Sequence, residues 1–486
     1  NRVVVPSLLL IVILPFLISS TPHSSNHKRL VLISFDGFRY DTLNSTIAPN
    51  ITKWADGGVL FENGVASQAV TFTAPNHMSI VTGLHEEVHG IVGNIFFDQE
   101  HKTFYDIYNL SSLSGVTERA RQSHWYKDET IWQSNRKAGG HSAILQWPIG
   151  DVASGNDSHT VFYPWSDHGA LPRWQQEVDT LIETLQNGTN FVAWYVSEPD
   201  HTLHGYGFYH GGHYRSIMAD LDNLFGYFIK RLIETGLYDS TDIIFTADHG
   251  HAEIKNLDAV LCMDKFISGF AGFSYQVSDQ TILAYTEEQA QDIYTALTLA
   301  VAEKKLPVKI MWTKDVPASW HFKHPTRLGQ VMVVPEIGAD ARFACPWKEN
   351  EPFHSSTHGH PPENKEMRAV LAMRGPSFAE SVKLSHIPQN IDLFPLMGAI
   401  LGIPLPPNNG TMESVAMTLR DAPIDSHANE FDNFDPLSTA VNIVLLAVPI
   451  IVLAITVGYI IQRVRRGPST KKTTLKDVHS VSEPMV

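Results

Sequence analysis

Three short apolar runs, residues 29–33, 191–196 and 243–245, each give way within a few residues to acidic or imidazole side chains. The runs are apolar at consecutive rather than alternate positions, so they read as strands buried on both faces, as in a parallel sheet. Just beyond them stand Asp36 in Ser34-Phe35-Asp36-Gly37-Phe38, Asp200 and His204 after Glu198-Pro199, and Asp248-His249 in Thr246-Ala247-Asp248-His249-Gly250. Polar groups just past the carboxyl ends of parallel strands lie where open α/β sheets build their sites. Further buried strands are expected at 142–146, 331–335 and 368–373. Helices are expected at 173–186 and at 214–235, where Ile217, Leu221, Leu224, Phe225 and Phe228 recur at helical spacing. Strands alternating with helices predict an α/β fold whose mostly parallel sheet is covered on both faces.

A fourth polar stretch, His358-Gly359-His360, completes a ligand set for a two-metal phosphoryl-transfer site. Mixed carboxylate and imidazole donors suit zinc. Asp200 and His204 are four residues apart, which places them on one face of a helical turn. Two ions about 4 Å apart polarise a phosphoryl group and neutralise charge in an in-line transition state. Thr73, in Thr73-Ala74-Pro75-Asn76-His77, supplies a hydroxyl nucleophile that needs metal coordination to lose its proton. Pro75 marks a helix start there, so the hydroxyl sits at the positive end of a helix dipole. Taken singly, these features have ordinary explanations: a threonine caps a helix and an aspartate ends a strand in a turn. Their combination in this order is what points to a site.

The chain of 486 residues carries 36 Lys+Arg against 51 Asp+Glu, formally −15, which argues against binding a nucleic-acid polymer. Residues 3–18 are nearly all apolar, preceded by Arg2 and followed by Ser19, Ser20 and Thr21. Residues 1–21 are therefore expected to be a cleaved signal peptide, a retained anchor being the alternative. Residues 440–461 form a second apolar run, and at about 1.5 Å per residue a helix of that length crosses a ~30 Å hydrocarbon core. Arg463, Arg465 and Arg466 come next as a positive-inside signal. The expected organisation is a catalytic domain at 28–405, a Pro/Asn/Asp-rich stalk at 406–437, a transmembrane helix at 438–461 and a cytoplasmic tail at 462–486. Glycosylation sequons stand at Asn44, Asn50, Asn109, Asn156, Asn187 and Asn409, all on the expected extracellular side. Cys262 and Cys345 are the two cysteines. They form either one disulfide, closing a loop worth ~4 kcal/mol, or two separate buried thiols.

In combination, Ser34-Phe35-Asp36-Gly37-Phe38-Arg39, Pro75-Asn76-His77, Val81-Thr82-Gly83, His89-Gly90-Ile91-Val92-Gly93-Asn94, Glu198-Pro199-Asp200 and Asp248-His249-Gly250 resemble the nucleotide pyrophosphatase/phosphodiesterase family of the alkaline phosphatase superfamily. Trp147-Pro148 and Asn408-Asn409-Gly410-Thr411 also match, so the resemblance runs from about residue 29 to 411. The architecture looks like that of the short type I transmembrane members, types 4 and 5. The resemblance implies an alkaline-phosphatase-like three-layer α/β/α sandwich with two Zn2+ ions. One would be held by Asp200, His204 and His358, the other by Asp36, Asp248 and His249. Thr73 would bridge toward the metals and form a transient phosphothreonyl ester, while Asn94 helps hold the phosphoryl oxygen. The implied substrate is an extracellular nucleotide or dinucleotide, cleaved to a nucleoside 5′-monophosphate.

The chain departs from the family pattern at the substrate. Ala74 stands where many members have a base-stacking Phe, and Trp165 falls where the family has a stacking Tyr. Leu203 and the His-Gly-His-Pro-Pro run at 358–362 are also unusual, though no ligand is lost. A sulfatase would need a modified Cys or Ser in a different context. A choline-type lysophospholipid or sphingomyelin phosphodiesterase is a nearer rival, but the segment from Trp147 to Trp165 keeps the length that favours nucleotides. A catalytically weak adhesion or receptor ectodomain is the remaining alternative, against which all six ligands and Thr73 are present.

Overall fold

The central strand Arg29–Phe35 is buried along almost its whole length because both of its edges and both of its faces are covered. A computed structural model describes residues 28–108, 123–148, 150, 160–163, 169–267, 275–277, 279–345 and 355–420. Within them lies an eight-stranded sheet in the order Val382–Leu384, Val59–Phe61, Leu371–Arg374, Thr241–Thr246, Arg29–Phe35, Phe191–Val196, Ser142–Leu145, Thr160–Tyr163. All neighbours pair in parallel except those of Leu371–Arg374, which runs against both of its partners. The expected strand at 368–373 is thus present but reversed in direction.

Alternation along the strands sorts the two faces. Phe35 packs edge-on against Trp194 and Phe245, and Phe245 against Phe225 of the helix His213–Glu234. That helix and Leu171–Gln186 cover this side. Ser34, on the opposite face, reaches His77 of the helix Thr73–Thr82 at 2.9 Å. This second layer also includes Leu393–Leu401. Three layers result, as expected. Gly83 ends the Thr73–Thr82 helix at φ +67°, where an added Cβ would lie 2.7 Å from the Phe394 ring.

One expected strand belongs elsewhere. Val331–Pro335 lies in a separate antiparallel sheet with Thr281–Ala284, Val308–Trp312 and Tyr275–Val277. Its uninterrupted apolar run has a simple cause. Val331 and Val333 join a small core with Ile293 and Leu297 of the helix Glu287–Lys304, whereas Met332 and Val334 join the main core. Burial on both faces mimics the signature of a parallel strand. Cys262 and Cys345 form a disulfide across 83 residues that contain this sheet and helix.

Residues 406–420, expected to begin a stalk, pack on the domain that precedes them instead. Val415 and Thr418 are fully buried, and Asp392 accepts hydrogen bonds from Thr411 N and Ser414 Oγ. A polar, turn-rich composition concealed two inward-facing residues and a buried carboxylate that holds the turns. The expected leader at 1–21, the remainder of the stalk, the transmembrane helix at 438–461 and the tail lie outside the described residues. Among the described residues, no helix is long and apolar enough to cross a membrane.

Removing the Cys262–Cys345 bridge by Cys262→Ser with Cys345→Ser should lower unfolding stability by about 4 kcal/mol, the entropy of closing a loop of this length. Denaturant titration measures it; an unchanged midpoint would mean that the smaller sheet is held by its packing alone.

Candidate metal centre

Parallel strands in step deliver their carboxyl ends to one edge. Ser34 stands level with Tyr195 and with Thr246, so Asp36, Asp248 and the turn leading to Asp200 leave the sheet together. The first group is Asp36, Asp248 and His249, all buried. His249 Nε2 lies 3.1 Å from Asp248 Oδ2 and 3.7 Å from Asp36 Oδ1. Each of these side chains is anchored through its other atom. Tyr195 OH donates to Asp36 Oδ2 at 2.6 Å, Gly37 N donates to Asp248 Oδ1 at 3.1 Å, and His249 Nδ1 donates to the Gly250 carbonyl at 3.0 Å.

What remains is Asp36 Oδ1, Asp248 Oδ2 and His249 Nε2, buried without a hydrogen-bond partner among the described residues. An unsatisfied buried polar atom costs ~1–3 kcal/mol, and more when charged. Three converging on one point are resolved by a cation. Protonation points the same way. Burial, then the Asp248 and Asp200 carboxylates, push Asp36 well above the usual carboxylate range. Burial would raise Asp248 too, but the neighbouring His249 and His77 bring it down to about 2. The residues fit a divalent ion that accepts oxygen and nitrogen donors.

The second group is Asp200, His204, His251 and His358. Asp200 and His204 share the helix Asp200–Tyr206, as their spacing predicts. Asp200 Oδ1 is the hub: His251 Nε2 lies 2.6 Å away, His204 Nε2 3.4 Å and His358 Nε2 3.6 Å. Burial would raise Asp200, yet the neighbouring His204 holds it well below the usual range. His358 Nδ1 donates to the Thr71 carbonyl at 2.7 Å, and its ring stacks on His249 with centroids 3.8 Å apart, so the two groups adjoin.

Thr73 opens the helix Thr73–Thr82 with no side-chain cap before it, so the threonine is not a cap. His77, one turn on, donates from Nδ1 to the Thr73 carbonyl at 2.8 Å and accepts from Ser34 Oγ; Nδ1 also stands 3.6 Å from Asp248 Oδ2. Burial lowers its pKa, keeping the ring neutral and the helix end fixed beside the first group. Asn94 accepts from Ala74 N at 2.8 Å and donates to Tyr108 OH at 3.0 Å. It lines a cleft of about 540 Å3 with Phe72, Tyr108, Asp340, Arg342, Phe343, His204 and His358.

Ala74 is fully buried and offers this cleft no side chain; its contribution is the backbone N–H held by Asn94. Trp165, Asn109 and Asn156 lie outside the described residues. Of the other sequons, Asn187 is exposed at a helix end and Asn44 is half-buried. Asn50 gives its amide to Asp222 at 2.7 Å, and the exposed Asn409 accepts from His85 N. His360 turns away from the metal groups to the Pro335 carbonyl. Sequence reasoning misses His251, His77 and Tyr195, although the Asp-His-Gly-His run at 248–251 carries the hint of a second imidazole. A third cluster, Asp98, Glu100 and His101, is structural, because Asp98 pairs with Arg327 at 3.0 Å.

Residues 30–361 match the family described as type I phosphodiesterase / nucleotide pyrophosphatase. Bis(5′-adenosyl)-triphosphatase enpp4 of Xenopus laevis is 29% identical over 96% of the chain and 95% of its own length. Its counterpart from Mus musculus is 30% identical over 82% of each. Among solved structures, inactive murine ectonucleotide pyrophosphatase/phosphodiesterase 5 in complex with AMP superposes with a TM-score of 0.71 at 26% identity. That match covers 81% of this chain and all of the other.

Tyr195→Phe removes the one hydroxyl that, among the described residues, orients Asp36. Affinity at one of two metal positions should fall about 10- to 100-fold, the usual effect of losing a partner that holds a ligand. Competition with a chromogenic chelator reads this, and wild-type affinity in the variant would show that Asp36 is oriented without Tyr195.

Proposed function

The chain belongs to the type I phosphodiesterase/nucleotide pyrophosphatase family of the alkaline phosphatase superfamily, and from that premise we propose that it is a two-zinc ectoenzyme converting extracellular nucleotides or dinucleotides to nucleoside 5′-monophosphates. It is a hydrolase of phosphodiester or pyrophosphate bonds. The observation that carries the finer reading is the convergence of Asp36 Oδ1, Asp248 Oδ2 and His249 Nε2, buried and without a hydrogen-bond partner among the described residues, beside the second group of ligands and the Thr73 helix end. Asp36, Asp248 and His249 would hold one zinc ion; Asp200, His204 and His358 would hold the other. Bound there, the ions supply Lewis acidity toward the phosphoryl oxygens and lower the pKa of a nearby hydroxyl.

Thr73 Oγ1 attacks phosphorus, its proton passing to solvent and from there to the leaving alcohol or phosphate, so that an O–P bond forms while the bond to that group breaks. Water then attacks the phosphothreonyl ester, the Thr73 O–P bond breaks, and the monophosphate leaves. Asn94, fixed by Ala74 N, turns its amide nitrogen toward the cleft that holds the phosphoryl group. Neutral His77 keeps the Thr73 carbonyl in place. Phe72, Tyr108 and Phe343 offer aromatic surface in the cleft, and Trp165 is the further candidate for base stacking. The named activity of the bis(5′-adenosyl)-triphosphatases and the AMP complex of the murine relative support a dinucleotide or nucleotide substrate. The apolar run at 440–461, the arginines after it, the sequons and the Cys262–Cys345 bridge support a type I plasma-membrane protein with its catalytic domain outside the cell.

Purified protein should contain about two zinc ions per chain and cleave diadenosine triphosphate, ATP or p-nitrophenyl-TMP in preference to p-nitrophenyl phosphate. Chelation should abolish turnover. Cleavage of lysophosphatidylcholine alone would move the assignment to a lipid phosphodiesterase, and metal loading without turnover of any ester would leave a binding ectodomain.

Thr73→Ala should remove turnover with zinc retained, since six other side chains hold the ions; near wild-type kcat would rule out the covalent ester. Trp165→Ala should lower kcat/KM for nucleotide diesters by about 5- to 150-fold, the equivalent of ~1–3 kcal/mol of stacking. An equal loss on a nitrophenyl phosphonate that lacks a base would make Trp165 a structural residue.

A further inference from the structure

We propose that His251 is a fourth protein ligand of the ion held by Asp200, His204 and His358, making that position a three-imidazole, one-carboxylate site. This rests on the two-metal reading above and adds a donor to it. His251 enters the site by register. The short strand Ala252–Glu253 pairs antiparallel with Ser356–Thr357, with Thr357 opposite Ala252. One step further along that ladder, His251 falls opposite His358, and their rings meet edge-on at 5.3 Å. Arg39 Nη1 donates to the His251 carbonyl at 2.8 Å and fixes the backbone there. Gly37, at φ +68°, lies so close that an added Cβ would meet both Asp200 Cβ and His251 Cδ2 at 3.0 Å.

The Ser356 hydroxyl points to which nitrogen of a neutral His251 faces the cluster with a lone pair. Ser356 Oγ donates to the Leu203 carbonyl at 3.0 Å, so its one proton is committed. It therefore accepts from His251 Nδ1, 3.0 Å away. A neutral His251 then presents a bare Nε2 to the group, as His249 and His358 do through their own Nδ1 anchors on backbone carbonyls. Anchoring one ring nitrogen so that the other binds metal is how protein imidazoles are set as ligands. A bare Nε2 at 2.6 Å from the Asp200 carboxylate is otherwise lone pair against lone pair. An ion that takes both atoms as ligands, at ~2.0–2.1 Å from each, removes that repulsion. Ser356 is itself fully buried, so the Ser356–His251–Asp200 chain is not a nucleophile relay.

Full-length protein loaded with Zn2+, and separately with Co2+, tests the assignment in His251→Gln and His251→Asp. Glutamine keeps a donor able to hold Asp200 but is a poor zinc ligand, whereas aspartate keeps a metal ligand without a donor. For His251→Gln, one of the two zinc affinities should fall by more than about 100-fold, beyond what loss of an orienting residue causes, with the other unchanged. The Co2+ visible bands of that position should shift, and His251→Asp should recover part of the affinity. Wild-type affinity and an unchanged Co2+ spectrum in His251→Gln would overturn the proposal and leave His251 a hydrogen-bond donor to Asp200, with the two-metal reading intact. Wild-type protein that binds no ion would overturn that reading and this one with it.

Discussion

Three carboxylates that cannot all stay charged without a counter-ion govern this structure. Asp36, Asp200 and Asp248 meet in a space largely closed to water, and burial first, then repulsion from the other two, pushes Asp36 above the usual carboxylate range. Histidines offset part of the charge, but the orphaned oxygens of Asp36 and Asp248 remain. Much of the surrounding structure holds these groups together against that repulsion. Tyr195, Gly37 and the helix at Asp200 each hold a carboxylate, and the sheet register holds all three at one edge.

The sheet imposes this because its strands run in step. Arg29–Phe35 is hydrogen-bonded on both sides over nearly its full length, so a slip of either neighbour would carry one carboxylate to another level. The packing of Phe35, Trp194 and Phe245 against the helix His213–Glu234 resists such a slip. On the other face, Ser34 and His77 join the sheet to the helix that carries Thr73. Scaffold and chemistry therefore share the same residues.

The central strands, the helical spacing of Asp200 and His204 and the helix start at Thr73 were legible because each rests on a local pattern. His251 was not, since its place depends on a ladder with residues more than a hundred positions away. The direction of Leu371–Arg374 and the separate sheet around Val331–Pro335 were hidden for a related reason. Burial on two faces leaves the same apolar run whether a strand is parallel or antiparallel. Residues 406–420 misled in the other direction, because Val415 and Thr418 are too few to outweigh the prolines and asparagines around them. Ala74 shows that a family position alone does not fix what faces a ligand: here its methyl group is buried.

The ladder between Ala252–Glu253 and Ser356–Thr357 has a further consequence. The described residues between those strands, including the smaller sheet and its disulfide, form an excursion that departs from and returns to the same place beside the candidate ligands. Asp279, Gln280, Asp340, Arg342 and Phe343 on the cleft wall all come from that excursion, while Thr73 and the candidate metal donors lie outside it. Part of the cleft wall is thus written in a length of chain separate from the candidate reactive groups. Variation within the excursion can reshape what enters the cleft while the clamp at its base leaves the reactive groups in place, an arrangement that lets selectivity drift faster than chemistry.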